Sequence, residues 1–171
     1  PGVARRVLSL LHGLYAIETE IRVSRRKRLQ KRRGYSVYVR GETLGILRDT
    51  GLINSRDTLP TKFVRRIRRS IVRNGIGRRA FLRGAFLGAG SLSNPERAYH
   101  LEFVIHQEEF AHDLCRLICG EGLGARVIRR KGSYVVYIKE GEHIADLLAM
   151  MGAYNAILNM ENVRIIKQMR N

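Results

Sequence analysis

Apolar residues in this chain follow two rhythms, and the switches between them mark out the elements. Val7, Leu10, Leu11 and Leu14 recur at helical steps and predict a helix over residues 3–14. Ile17, Thr19, Ile21 and Val23 then alternate as a strand does, and Tyr35, Val37 and Val39 resume the alternation after a basic stretch, which predicts a hairpin with a long cationic tip. Leu44, Ile46 and Leu47 make residues 42–50 a short helix closed by Gly51. Later in the chain the same order returns. Phe110, Ala111, Leu114, Leu117 and Ile118 predict a helix broken by Gly120 and Gly122, and Val127 and Ile128 begin a strand. Arg129-Arg130-Lys131-Gly132 forms the tip, residues 133–139 return, and Ile144, Leu147, Leu148 and Met151 predict a helix over 142–151 ended by Gly152.

The two passages align as an internal repeat of helix, strand, strand, helix. Tyr35-Ser36-Val37-Tyr38-Val39-Arg40 matches Tyr134-Val135-Val136-Tyr137-Ile138-Lys139, and Leu47 to Gly51 matches Leu148 to Gly152, with the first hairpin about seven residues longer. The second copy is preceded by a further helix and by the alternating strand Tyr99, Leu101, Phe103, Ile105; the first copy has neither. The expected organisation is a first repeat over 1–53, incomplete at its N-terminus, a basic connecting segment over 54–78, a second repeat over 79–152 and a helical tail over 153–171. The helix missing from the first copy is expected from residues preceding Pro1 or from a second molecule.

That further helix is Arg79-Ala80-Phe81-Leu82-Arg83-Gly84-Ala85-Phe86-Leu87-Gly88-Ala89-Gly90. Gly in a helix interior costs up to about 1 kcal/mol relative to Ala. Gly84 and Gly88 share a face at a four-residue step beside Ala85 and Ala89, so this face reads as a surface kept bare for the approach of another helix, with Gly84, Ala85 and Gly88 as the contact. Phe81, Leu82, Phe86 and Leu87 read as the side packed on a sheet, and Gly90 as the residue that ends the helix.

Charge adds a partner to this outline. A net charge of +17 on 171 residues exceeds what solubility needs and points to a polyanion, nucleic acid before membrane. No apolar run approaches the ~18 residues of a membrane span, and no signal sequence is visible, so a cytoplasmic, nucleoid-associated protein is expected. The candidate DNA contacts are Arg22, Arg25, Arg26, Lys27, Arg28, Lys31, Arg32 and Arg33 on the first hairpin and Arg126, Arg129, Arg130 and Lys131 on the second. Tip residues would hold phosphates, whereas Arg22, Tyr38 and Arg126 on the strands would reach base edges. Between the copies, Phe63, Val64, Ile67 and Ile71 make a helical stripe over 61–73 whose other positions, Lys62, Arg65, Arg66, Arg68, Arg69 and Arg73, are purely cationic. Helix faces that are merely solvated mix signs, so this one reads as a binding face. Positive charge alone does not separate DNA from RNA, and an RNA-binding or protein-interaction scaffold stands as the alternative. His112, Cys115 and Cys119 sit at helical steps, but three ligands on one helix leave no fourth, so packing is the better reading and no metal or cofactor is expected.

The nine residues Leu82 to Gly90 resemble the signature helix of LAGLIDADG homing endonucleases. In that family two such helices pack at their small residues, and an acid just before the last Gly binds the metal that cleaves DNA. Ala89 holds that place here and Leu87 the earlier acidic one; a methyl group cannot ligate Mg²⁺. The resemblance therefore implies the scaffold without catalysis, Glu96 and Glu102 being the nearby acids. Residues 78–96, Tyr99-His100-Leu101-Glu102, residues 131–142, Asn162-Val163-Arg164 and Met169-Arg170-Asn171 extend the resemblance to the WhiA family of bacterial regulators. That family is similar to a silent homing-endonuclease domain joined to a C-terminal helix-turn-helix, and its members act in sporulation and cell division. The resemblance implies an α+β fold, a pseudo-two-fold repeat of helices on antiparallel sheets, in a non-catalytic DNA-binding domain of a transcriptional regulator. Its partners would be double-stranded DNA and other regulatory proteins, as a monomer with internal pseudo-symmetry rather than a homodimer, with the helix-turn-helix beyond Asn171.

Overall fold

The computed structural model describes residues 2–25, 33–41, 43–54 and 62–169. The chain divides into two compact units, Pro1–Phe63 and Val64–Asn171, each mixing helices with antiparallel strands.

The first unit runs α1 (Gly2–Leu14), β1 (Glu18–Arg25), β2 (Arg33–Arg40) and α2 (Thr43–Asp49). Its two strands pair antiparallel from Glu18↔Arg40 to Arg25↔Arg33. His12 Nε2 lies 2.6 Å from Thr19 Oγ1, so α1 covers the face that carries Thr19, Ile21, Val23, Tyr35, Val37 and Val39. The Tyr15 hydroxyl ties the end of α1 to Asp49 of α2 at 3.0 Å. Apart from Ile53, which is fully buried, burial of side chains here is shallow. No residue of α1 or α2 is buried, and Val3, Val7, Leu10 and Leu14 leave an apolar stripe of 4-3-4 spacing exposed.

The second unit holds the core. After a segment without regular structure, α3 (Gly75–Ala89) leads into β3 (Gly90–Leu92) and β4 (Leu101–Ile105), then α4 (Glu108–Gly120), β5 (Arg126–Arg130), β6 (Ser133–Ile138), α5 (Gly141–Met150) and α6 (Tyr154–Met169). The strands form one antiparallel sheet in the order β3-β4-β6-β5. Leu101, Phe103 and Ile105 of β4 and Val136 and Ile138 of β6 face the helices. There they meet Leu82 of α3, Ala111, Leu114 and Ile118 of α4, Ile144, Leu147 and Leu148 of α5 and Met160 of α6, all buried. Phe86 meets the Phe103 ring edge-on at 6.0 Å, and Arg83 Nε donates to the Met151 carbonyl at 2.7 Å, satisfying an acceptor that the end of α5 leaves over.

The internal repeat is visible in the backbone. Gly51 and Gly152 both adopt φ +73°, and the residue after each donates to the carbonyl of the matched leucine: Leu52 to Leu47 at 2.9 Å and Ala153 to Leu148 at 2.8 Å. These are equivalent Schellman closures, which require the left-handed conformation that glycine adopts without strain. The hairpins also keep register. Tyr38 pairs with Glu20 as Tyr137 pairs with Arg126, and Gly34 pairs with Ser24 as Ser133 pairs with Arg130. Beyond that rung the second hairpin turns through Lys131-Gly132, both at positive φ as a two-residue type I′ turn requires, whereas the first continues to residue 33.

Four expectations need correction. Residues 62–73 form bends and one turn, not a cationic helix; the reason lies in Asp113, described below. The signature helix starts at Gly75 rather than 79, because Asn74 caps it, its Oδ1 accepting from the Gly77 N–H at 2.8 Å. Leu87 is exposed and does not pack on the sheet, whereas Phe81, Leu82, Ala85 and Phe86 do face the core. Gly90 follows the helix in an extended rather than left-handed conformation; it opens β3 opposite Phe103, and a Cβ there would overlap the Phe86 ring. In addition, Tyr99 lies before the strand it was expected to begin.

Candidate nucleic-acid interface

Strand alternation decides which charges can act together. In the second unit Leu101, Phe103, Val136 and Ile138 face the helices, so by alternation Ser91, Glu102, Val104, Val135, Tyr137, Arg126, Ile128 and Arg130 line the other face, on which Val135 is itself buried. Arg126 and Arg130 thus stand four rungs apart on one open face, with Ile128 between them. Arg129 does not join them: it pairs with Tyr134 on the helix side, where the Tyr134 hydroxyl donates to Glu108 at 2.7 Å. Lys139 extends the open face beyond β6, its Nζ 5.4 Å from the centre of the Tyr137 ring, and His100 stacks on the same ring at 5.8 Å. The acid in this surface is Glu102, already engaged by His100 Nε2 at 3.0 Å and in reach of the Ser91 hydroxyl. A strand face that sets Arg126 and Lys139 beside an aromatic ring, with Arg130 farther along β5, suits phosphates flanking a groove.

The equivalent face of the first unit differs. It carries Glu18, Glu20, Arg22, Ser24, Ser36, Tyr38 and Arg40. Glu20 takes Arg22 through both oxygens, at 2.7 and 3.2 Å, and Arg40 at 3.3 Å, while the Arg22 guanidinium lies 4.6 Å over the Tyr38 ring. Hydrogen bonding to Glu20 raises the Arg22 pKa above its ordinary value. Two carboxylates therefore offset the two arginines on the described part of this face. Of the tip residues expected to contact DNA, Arg26, Lys27, Arg28, Lys31 and Arg32 lie outside the described residues, and the backbones of Arg25 and Arg33 form the last rung of the ladder.

Gly84 and Gly88 lie on an open side of α3. A Cβ built at either meets nothing within 4 Å, and Ile76 and Leu87 are exposed along the same helix; Ala85 instead packs against the core. Ala89, at the place of the acid in the endonuclease signature, ends α3. Glu96 bonds within the turn at Asn94, so neither it nor Glu102 forms part of an acidic cluster, and among the described residues no group of three or more His, Cys, Asp or Glu side chains could hold a metal ion. The two thiols sit against one acceptor, Cys115 Sγ and Cys119 Sγ lying 3.5 and 3.4 Å from the Ala125 carbonyl. Burial, reinforced by Cys119, pushes the Cys115 thiol up to about 11, a packed rather than a reactive cysteine.

Sequence reasoning missed the group that organises the basic segment. Asp113 on α4 accepts from Arg66 Nε at 2.9 Å, from Arg66 Nη2 at 2.8 Å and from the Ile67 N–H at 3.1 Å, and pairs with Arg116 as well. The Arg66 bonds foremost hold its carboxyl at about 2. Arg78 pairs with Glu121 at the far end of the same helix. The one sequence signal was an aspartate on the outer side of an amphipathic helix, which carries no local hint of a partner 47 residues away.

Comparison with known proteins bears on the whole chain. Residues 1–53 match the family described as the WhiA N-terminal LAGLIDADG-like domain, and residues 78–170 the WhiA LAGLIDADG-like domain. Proteins named probable cell division protein WhiA from Clostridium beijerinckii and Clostridium acetobutylicum are each 44% identical over the full chain, which spans 55% and 54% of their lengths. Among solved structures, full-length DUF199/WhiA from Thermatoga maritima superposes with a TM-score of 0.70 at 20% identity, covering 96% of this chain and 49% of that one. Variants of the homing endonuclease I-DmoI match at a TM-score of 0.53 and 15% identity, over 86% of this chain and 70% of theirs. These structural likenesses speak for the fold, and the sequence matches, which cover both copies of the repeat, establish that the chain belongs to the WhiA family.

Proposed function

We propose that this chain is the non-catalytic, LAGLIDADG-like DNA-binding portion of a bacterial regulator acting in cell division and sporulation. The observation that carries the reading is the open face of the β3-β4-β6-β5 sheet, where Arg126 and Lys139 lie beside Tyr137, Arg130 stands on the same face at the far end of β5, and the acid Glu102 is held by His100. Lys131 at the adjoining turn adds a fourth charge. Such a surface grips phosphates and supplies position and affinity rather than sequence choice. Ala89 and Leu87 leave methyl groups where metal-dependent cleavage needs oxygen ligands, so the fold serves binding without strand scission. The Gly84 face of α3 is a contact for another helix, and the chain works as a cytoplasmic, nucleoid-associated monomer.

The test is a gel-shift titration of duplex DNA against a structured RNA hairpin as competitor, run beside incubation of supercoiled plasmid with Mg²⁺ or Mn²⁺. Retention of duplex DNA and an intact plasmid are expected. Preferential displacement by the RNA hairpin would favour an RNA-binding scaffold, and nicking abolished by Glu102→Ala would overturn the non-catalytic reading.

A further inference from the structure

The second unit carries a separate concentration of positive charge that the sheet face does not use. Arg65, Arg66, Arg68, Arg69 and Arg73 crowd into nine residues with no acid among them. Like charges at helical spacing repel, which argues against a free-standing helix. Asp113 instead pins Arg66 and the Ile67 backbone against α4. The aspartate side chain is only 12% exposed, whereas those of Arg66 and Arg116 are 60% and 64% exposed, so the carboxylate is enclosed and the guanidiniums turn outward.

Between the segment and α4 runs an open groove of about 670 Å³, lined by Arg66, Arg69 and Arg116 with Asp113, Ile67 and Leu117. Arg66 commits Nε and Nη2 to Asp113 and keeps Nη1; Arg116 commits Nη2. No ion pair among the described residues engages Arg69. Three guanidiniums thus meet one carboxylate, and the next acid, Glu109, acts on Arg66 only at longer range. The lining holds no aromatic ring to stack a base and no amide to read one. Its chemistry is that of a fork for anionic oxygens, open along its length so that regularly spaced charges can follow the arginine row.

Ala111, Leu114 and Ile118 turn α4 toward the buried side of the sheet, so the groove lies on the helix layer, opposite the face that carries Arg126 and Arg130. A straight duplex on one side does not reach the other. We propose that this groove is a second phosphate-binding surface which takes the backbone of a separate duplex segment, so that one molecule holds two. The proposal rests on the DNA-binding reading above but on different residues.

The experiment uses the whole chain. A duplex fixed to beads is loaded with protein, and capture of a second, fluorescent duplex is measured at 0.1 M salt. Wild type should capture it. Arg69→Glu should reduce capture by about eightfold or more, the change that one lost contact carries at a log–log salt slope of about 0.9. Arg69→Lys should retain most of it, and circular dichroism should be unchanged in both. Wild type that binds the first duplex yet captures none of the second, or capture indifferent to Arg69→Glu, overturns the proposal. So does poly-glutamate that displaces the second duplex at lower charge concentration than free duplex does, since the occupant would then be an acidic protein segment. If Arg126→Ser with Arg130→Ser leaves binding of the first duplex intact while Arg69→Glu weakens it, the sheet reading fails and with it the two-duplex proposal, the groove then being the site of the first duplex.

Discussion

The two units build the same hairpin and the same glycine-closed helix, yet only the second is deeply packed. In residues 64–171, α3 supplies Leu82, β3 the partly buried Leu92 and β4 Leu101 and Phe103, and the hairpin's Val136 and Ile138 are buried against them and the other helices. In residues 1–63 the matching Val37 and Val39 are only half-buried under α1, and Ile21 and Val23 remain exposed. A two-stranded ribbon with one helix over it is marginal, whereas four strands under a helical layer form a core. The comparison teaches that the repeated module fixes register and turn geometry, while the elements added to it provide burial. Electrostatics divides the units the same way: Glu18 and Glu20 offset the arginines of the first open face, and the second keeps an excess of positive charge.

The largest expected effect follows from that contrast. Phe103→Ala should cost about 3–5 kcal/mol, the range for an aromatic lost from a core, whereas Val37→Ala should cost well under half of that. Denaturant unfolding of both variants measures the difference, and comparable losses would erase the distinction between the units. Native-state hydrogen exchange sharpens it, since amides of β1 and β2 should exchange well before those of β4 and β6.

The Asp113 anchor comes next. A carboxyl held at about 2 against an ordinary 3.8 stabilises the folded state by roughly 2 kcal/mol above the ordinary value, and that contribution fades as pH falls from about 4 toward 2. Asp113→Asn should remove a comparable amount at neutral pH and flatten the acid limb of the stability profile. An unaltered acid limb would mean that Arg66 and Ile67 gain nothing from the pairing. Smallest is Gly84→Ala, which should stabilise by up to about 1 kcal/mol through helix propensity, because its Cβ enters open space. A loss of stability would show that the proposed partner helix already packs on that face in the isolated chain.

Much of this was legible in the sequence where the determinants are local. Leu47 to Gly51 and Leu148 to Gly152 announced identical closures, the alternation of Leu101, Phe103 and Ile105 named one core face, and the LAGLIDADG-like word placed α3. What failed depends on tertiary contact. Phe63, Ile67 and Ile71 are spaced as in a helix, but a carboxylate far along the chain holds the backbone of Ile67, a partner that no local rhythm encodes. Arg129 was grouped with its neighbours by charge, although alternation alone puts it on the opposite face from Arg126 and Arg130. The residues of strand β3 are not locatable from the sequence because three residues opening on a glycine carry no period to detect.

The central claim, that the second sheet's open face binds DNA, is tested most directly by fluorescence anisotropy of a labelled duplex across a salt series. The comparison sets Arg126→Ser with Arg130→Ser against Arg22→Ser with Arg40→Ser. Each phosphate contact contributes about 0.9 to the log–log slope. The first pair should flatten the slope by up to about 1.8, and the second by less than about 0.9, since Glu18 and Glu20 already offset its charge. A slope unchanged by Arg126→Ser with Arg130→Ser, or changed more by the first-unit pair, would contradict the account.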